Sequence, residues 1–160
     1  MWQKLIETLD QLGEVYNDLA ELGEKKREAL VSVDMKKLSE ILDAEKLITA
    51  KIQTLEQNRI ELFKDLSKLN INLSESPTAE NFYRSAPSHL EEKLLALHER
   101  LVKNVQRALK IRDDNQVLAQ VSLDIAQMKL NKISGAMVEP NYSGKGSDIV
   151  THQKNFDFMA

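Results

Sequence analysis

The sequence predicts an all-α protein: an antiparallel bundle or coiled coil of three long helices, with a short linker helix and a flexible C-terminal tail. The 160 residues include only 5 Gly and 3 Pro, so signals for turns are few. Apolar residues recur at alternating steps of three and four, which is the spacing of a helical seam. Hydrophobic residues make up 42% of the chain and aromatic residues 5%, so we expect a mainly aliphatic core.

The first two helices are predicted over about residues 2–31 and 35–69. The seam of the first consists of Trp2, Leu5, Leu9, Leu12, Tyr16 and Leu19. Gly23 falls on the same seam, where it allows a close approach or a bend. Asp34 is suited to cap the second helix, because its carboxylate can accept from free N–H groups of the first turn. A connection this short predicts that the second helix folds back antiparallel on the first.

Two charged residues, Glu45 and Arg59, interrupt the apolar seam of the second helix. Polar residues on a seam often fix the register between helices. Long side chains can also lie at the edge of a seam with their charged ends in water. The alternative to these structural roles is direct binding of a partner.

The predicted third long helix runs from about residue 89 to 134 and ends at Gly135. Residues 70–88 form a linker in which Ser76 and Pro77 can start a short helix carrying Phe82 and Tyr83. Ser88 and Glu91 have the spacing of a capping box. We therefore predict a helical bundle domain over residues 1–135 and a C-terminal tail over residues 136–160.

The surface of the third helix changes along its length. Its first half has one apolar face and a basic stripe, Arg100, Lys103, Arg107 and Lys110. That basic stripe is either solvated or directed at the acidic first helix or at an acidic partner.

In the second half of the third helix two apolar stripes appear. The first stripe continues the original face and consists of Ala119, Leu123, Ala126, Leu130 and Ile133. The second stripe replaces the basic one and consists of Val117, Leu118, Val121, Ile125 and Met128. Such a helix is buried between others or carries a surface for a partner.

No catalytic or metal site can be assembled from the sequence, and no cofactor is expected. There is no Cys, and none of the three His lies four residues from another, which argues against a zinc site. Asp113 and Asp114 are neighbours on a helix, so their side chains point about 100° apart. Net charge is −3 and the pI is about 5.7, which argues against nucleic acid. The chain has no membrane-spanning apolar run and no apolar signal-peptide core at its start, so we expect a cytoplasmic location without membrane insertion.

Several residues together resemble the FlgN-type flagellar export chaperones. Glu28, Ala29 and Leu30 precede the short turn with Asp34, and a spaced series follows it: Leu38, Leu42, Glu45, Leu55 and Arg59. The segment 112–118 is similar to the Asn-x-x-Leu element of the family's last helix, through Asn115 and Leu118. Residues 141–146 resemble the family's tail, a Tyr followed by small residues and Gly.

The resemblance implies a cytoplasmic chaperone that binds the C-terminal helices of hook-associated (hook–filament junction) proteins. Such a chaperone prevents their premature assembly and delivers them to the cytoplasmic domain of the membrane export gate. It places client binding in the last helix and tail, which agrees with the second stripe, and it makes Tyr142 a candidate contact with the gate. The alternative is a structural, self-associating coiled-coil protein, so homo-oligomerisation is left open.

Overall fold

Four helices make up the computed structural model, which describes residues 1–69 and 78–135. They are α1 (Trp2–Ser32), α2 (Met35–Leu69), α3 (Ala79–Arg84) and α4 (Ser88–Ser134). No strand occurs within the described ranges. The predicted all-α fold and its three long helices are confirmed, and the helix bounds differ from the predicted ones by one residue at most.

The three long helices are held in register by side chains that cross between them. Lys26 of α1 and Glu45 of α2 form an ion pair of 2.8 Å, which fixes an antiparallel α1–α2 hairpin. On the other side of α1, Arg100 of α4 bonds to Asp10, and Asn115 of α4 bonds to Gly23. Residue numbers rise together in these pairs, so α4 runs parallel to α1. Glu45 therefore sets register, as one of the sequence interpretations proposed.

An aromatic cluster closes the end of the bundle where α1 begins and α2 ends. Phe82 of α3 stacks on Phe63 of α2 with ring centroids 3.6 Å apart, and its ring lies 5.4 Å from that of Trp2. Tyr83 meets Phe63 edge-on, and both α3 aromatic side chains are fully buried. Thr78 caps this helix by accepting from the Asn81 N–H. The short linker helix is thus confirmed, but its predicted start is wrong, because it begins at Ala79 and not at Pro77. Ser76 and Pro77 lie outside the described residues.

The turn between α1 and α2 caps the end of the first helix and the start of the second. The N–H groups of Val33 and Asp34 donate to the carbonyls of Leu30 and Ala29, which is a Schellman motif. Val33 takes the left-handed conformation at φ 55° that this motif requires. The Asp34 carboxylate then accepts from the Lys37 N–H at 3.0 Å, so it caps α2 as predicted.

Replacing Asp34 with Ala should lower the free energy of unfolding by about 1 kcal/mol, because the Lys37 N–H loses its acceptor. Urea denaturation followed by circular dichroism would measure the change. An unchanged midpoint would show that the cap contributes nothing to stability.

The predicted capping box at the start of α4 is wrong. The helix begins one residue earlier, at Ser88, with Pro87 as its N-cap and no side-chain capping bond. The Leu90 N–H donates instead to the Pro87 carbonyl. The ring of Pro87 fixes its backbone φ angle near the value that the start of a helix needs, so α4 can begin without a side-chain cap from Ser88. At the other end Gly135 takes φ 69°, as predicted for a C-cap.

Gly23 marks the close approach of α1 to α4 that the sequence allowed. A Cβ built there would lie 2.6 Å from Cγ2 of Ile111, well inside van der Waals contact. At Gly13, by contrast, a Cβ would meet only the flexible guanidinium of Arg100, at 2.9 Å.

Substituting Gly23 with Ala should therefore lower the free energy of unfolding by up to about 2 kcal/mol. Overpacking costs about 1–3 kcal/mol and the better helix propensity of Ala returns about 1 kcal/mol. Gly13→Ala is the matched control. Arg100 can shift away, so we expect no loss and a gain of up to about 1 kcal/mol. Equal stabilities of the two variants in urea would contradict the close approach at Gly23.

Arg59 lies at the centre of a buried polar cluster that joins all four helices. It is 2% exposed and binds Glu56 through Nη2 and Nε at 2.7 and 2.9 Å. Burial raises the pKa of Tyr16 and of Tyr83 to about 12, and Arg59 opposes both shifts. The ring of His98 lies 5.3 Å from that of Tyr83. Because Arg59 is buried, it is a structural residue and does not bind a partner directly.

His98 should make the fold less stable as the pH falls from about 7 towards 5.5. Burial lowers the pKa of His98, and Arg59 lowers it further, while Glu80 opposes the shift. A histidine in the unfolded chain has a pKa of about 6.5 and binds a proton first, so stability is full above that pH and decreases below it. Urea titrations at several pH values should show a flatter profile for His98→Gln than for the exposed control His89→Gln. Identical profiles would exclude His98 as the cause.

Candidate partner-binding surface

The close packing of α4 on the hairpin ends at about Asn115. Its side-chain amide donates to the Gly23 carbonyl at 2.8 Å, and Asn115 is the last buried residue of α4. Beyond it, residues 116–134 continue the helix for about 28 Å at 1.5 Å per residue. We call this segment the overhang. From the Asn115–Gly23 register, the hairpin turn lies level with about residue 125, so the last turns of α4 extend past the hairpin.

The second stripe is exposed on the overhang. Val117, Val121, Ile125 and Met128 expose 65%, 48%, 49% and 49% of their surfaces, and Leu118 is half-buried. A contiguous row of exposed apolar side chains, unlike a single one, is typical of a surface that another molecule covers. Their role in binding a client stays a prediction.

The first stripe continues the apolar face of α4, but it is not buried against the hairpin. Leu123, Leu130 and Ile133 are as exposed as the second stripe. Beside residues 116–124, α1 still runs at the same level but does not bury this face. Past about residue 125 the hairpin has ended, so nothing in the described ranges covers the face there. The overhang therefore presents apolar side chains on both sides.

The basic stripe is directed partly at α1. Arg100 binds the carboxylate and the carbonyl of Asp10, and Arg107 donates to the side-chain carbonyl of Asn17. Between them the Asn104 amide donates to the Gly13 carbonyl. Lys103 instead pairs with Glu99 on its own helix. Of the alternatives from the sequence, contact with the acidic first helix holds for the two arginines.

The overhang carries few charged side chains beside its apolar stripes. Its charged side chains are Asp124, Lys129 and Lys132, and its polar line is formed mainly by amides that bond along the helix, such as Gln120 to Asp124 and Gln127 to Asn131. Across residues 1–69 and 78–135, no group of His, Asp or Glu is arranged to hold a metal ion. None of the helices in these ranges is long and apolar enough to cross a membrane.

The fold and this surface can now be set beside known proteins. The family model described as "FlgN protein" matches residues 1–148, which is nearly the whole chain. The chain belongs to the FlgN family. Members of the FlgN family are flagellar export chaperones, and membership indicates that general function for this chain. No curated protein and no solved structure matches the chain significantly.

Within this FlgN-family chain, two predicted features lie outside the described residues. One is Tyr142, the candidate contact with the export gate. The other is the tail over residues 136–160, so the predicted division into a domain and a tail stays a prediction.

Sequence reasoning missed how Asn115 and Gly23 position the overhang. Asn115 entered only through its resemblance to a family motif, and Gly23 only as a general site of close approach. Their hydrogen bond sets the point at which α4 leaves α1. An isolated Asn at a heptad position of an otherwise apolar face was the available signal, since Leu94, Leu101 and Ala108 precede it at steps of seven.

Proposed function

We propose that this protein is a cytoplasmic export chaperone whose overhang binds the C-terminal helices of hook-associated proteins. The observation that carries the proposal is the exposure of the second stripe on a helix that has lost its packing partner. Helices of the client that are apolar on one face would cover this stripe by the helix-in-groove mode. While they are covered, they cannot assemble with other subunits.

The size of the exposed surface is sufficient for such binding. Full burial of one aliphatic side chain of this size contributes about 1.5–3 kcal/mol. The side chains of the second stripe are about half exposed, so each gains roughly half of this value, and each client side chain packed against them adds a similar amount. Association costs at least about 4 kcal/mol in lost freedom of motion. Four or five such side chains therefore support dissociation constants in the micromolar range. An affinity of this order suits a chaperone, because the client must later be released.

Delivery to the export gate is the second part of the proposed function. Tyr142 follows the overhang by a few residues and is the candidate contact with the cytoplasmic domain of the gate protein. We infer a cytoplasmic location because both proposed partners present their binding regions there. Neither nucleic acid nor insertion into a membrane has a part in this function.

Co-purification tests the proposal. The full chain is co-expressed with each hook-associated protein and, as a control, with the same protein lacking its C-terminal helices. We expect stable retention of the complete client only. Failure to retain any hook-associated protein would refute the proposal.

The second candidate is a self-associating structural protein, which the two exposed stripes of the overhang also favour. Sedimentation velocity over a range of concentrations distinguishes the two functions. An oligomer that persists when a hook-associated protein is added supports the structural function. If the chain is a monomer, or if its oligomer is replaced by a complex with the client, the result supports the chaperone function.

A further inference from the structure

We propose that the end of the hairpin forms a second wall of the docking surface, and that the bound partner is an amphipathic helix with a carboxylate opposite Arg27. This inference rests on the proposed function, because it concerns the same partner. It adds Val31 and Arg27 of α1 to the surface and specifies the charge of the helix that fits there.

The first step concerns the line of residues by which α1 faces α4. Asp10, Gly13 and Asn17 of α1 accept hydrogen bonds from α4. Steps of seven keep to one face of a packed helix. Two further steps from Gly13 lead to Arg27, and two from Asn17 lead to Val31. Both are exposed, Val31 by 66%.

The second step concerns the matching line of α4. Asn104 bonds to Gly13, and the side chain of Ile111 lies against Gly23. Steps of seven from these two residues lead to Leu118 and then to Ile125. The Asn115–Gly23 register places Val31 level with about residue 123. The second stripe therefore continues the edge of α4 that faces α1, and Val31 lies on the opposite edge at the same height.

At this level Val31 of α1 and Val121 of α4 expose 66% and 48% of their surfaces. Two helices in contact would cover such residues, so α1 and α4 stand apart here. The result is an apolar gap that is open between the hairpin end and the overhang. A partner helix with an apolar seam can cover both walls at once, whereas a flat surface would reach only one.

Charge specifies the partner further. In the first 24 residues α1 has six acids and one base, but the hairpin end is basic. Lys25, Arg27 and Lys36 form no ion pair with any residue in the two described ranges. Exposed cations bordering an apolar surface favour a partner with carboxylates beside its seam, and they speed its association.

The test compares four single variants with the natural chain for binding to C-terminal fragments of the hook-associated proteins. Val31→Asp should weaken binding about ten-fold or more, as loss of a buried aliphatic contact predicts. Arg27→Glu should weaken it about three- to ten-fold at low ionic strength, with a difference that shrinks as salt is added. Leu47→Asp and Lys51→Glu make the same changes at exposed positions of α2, and both should bind as the natural chain does.

Several results would overturn the inference. If Val31→Asp and Arg27→Glu bind as well as their α2 controls while changes in the overhang abolish binding, the client uses the overhang alone and the proposed function stands. If no fragment binds the natural chain, the proposed function fails and this inference with it. If Val31→Asp lowers the melting temperature or dissociates an oligomer without affecting client binding, this chain or a second copy occupies the gap.

Discussion

The double variant Leu118→Asp with Ile125→Asp should lose client binding and keep its fold. Both residues belong to the second stripe, and Ile125 exposes 49% of its surface. A carboxylate at each position would have to be buried against the client's apolar seam, which is strongly unfavourable. The folded chain alone leaves Ile125 largely in water and Leu118 at the hairpin's edge. We therefore expect helicity and melting temperature to change little, while binding falls below detection in titration calorimetry.

The matched control is Gln116→Asp with Gln127→Asp. It adds the same two charges to the overhang, on an exposed polar line away from the second stripe. This control should bind the client within a few-fold of the natural chain. If the Leu118–Ile125 variant unfolds, the second stripe belongs to the core and the site is wrongly placed. If it folds and still binds, the client sits elsewhere, and the region around Tyr142 becomes the next candidate.

Replacing Arg59 with Met should cause the largest loss of stability, about 3 kcal/mol. Met fills a similar volume, but it leaves the Glu56 carboxylate without its cation in a mostly buried site. Removing one member of a buried pair typically costs about 3–5 kcal/mol, and the lower value applies because Glu56 is 22% exposed. Urea denaturation at pH 7 would measure the loss.

The double variant Arg59→Met with Glu56→Gln is the control for this prediction. It removes the unpaired charge and should recover much of the lost stability, because a buried ion pair contributes little beyond an apolar pair of similar shape. If the double variant is no more stable than Arg59→Met, the loss comes from packing around Tyr83 and His98 and not from the stranded carboxylate.

The helices themselves could be predicted closely because each one depends on local features. The seam of α1 and the cap at Asp34 lie within the helices they define, so spacing alone located them. The orientation of α4 along α1 could not be predicted, since a seam shows which face is apolar and not which helix it meets. The burial of Arg59 could not be predicted either, because the residues around it come from all four helices and a seam does not show which helices meet.

For the candidate site, spacing identified the second stripe but not the exposure of the first. The apolar character of Leu123 and Leu130 is a local property, whereas their exposure depends on where the hairpin ends. Val31 gave no signal at all in the sequence. Val31 enters the proposed surface only because it lies level with about residue 123 of the overhang. That position follows from the hydrogen bond between Asn115 and Gly23.

The aromatic cluster lies at one end of the bundle, and the overhang lies at the other. Phe63, Phe82 and Tyr83 hold α2, α3 and the start of α4 together, so amide hydrogens near that end should exchange slowest. The overhang makes almost no contribution to this cohesion. Substitutions there should affect the fold little, so the surface that we propose for the client can change while the rest of the molecule stays the same.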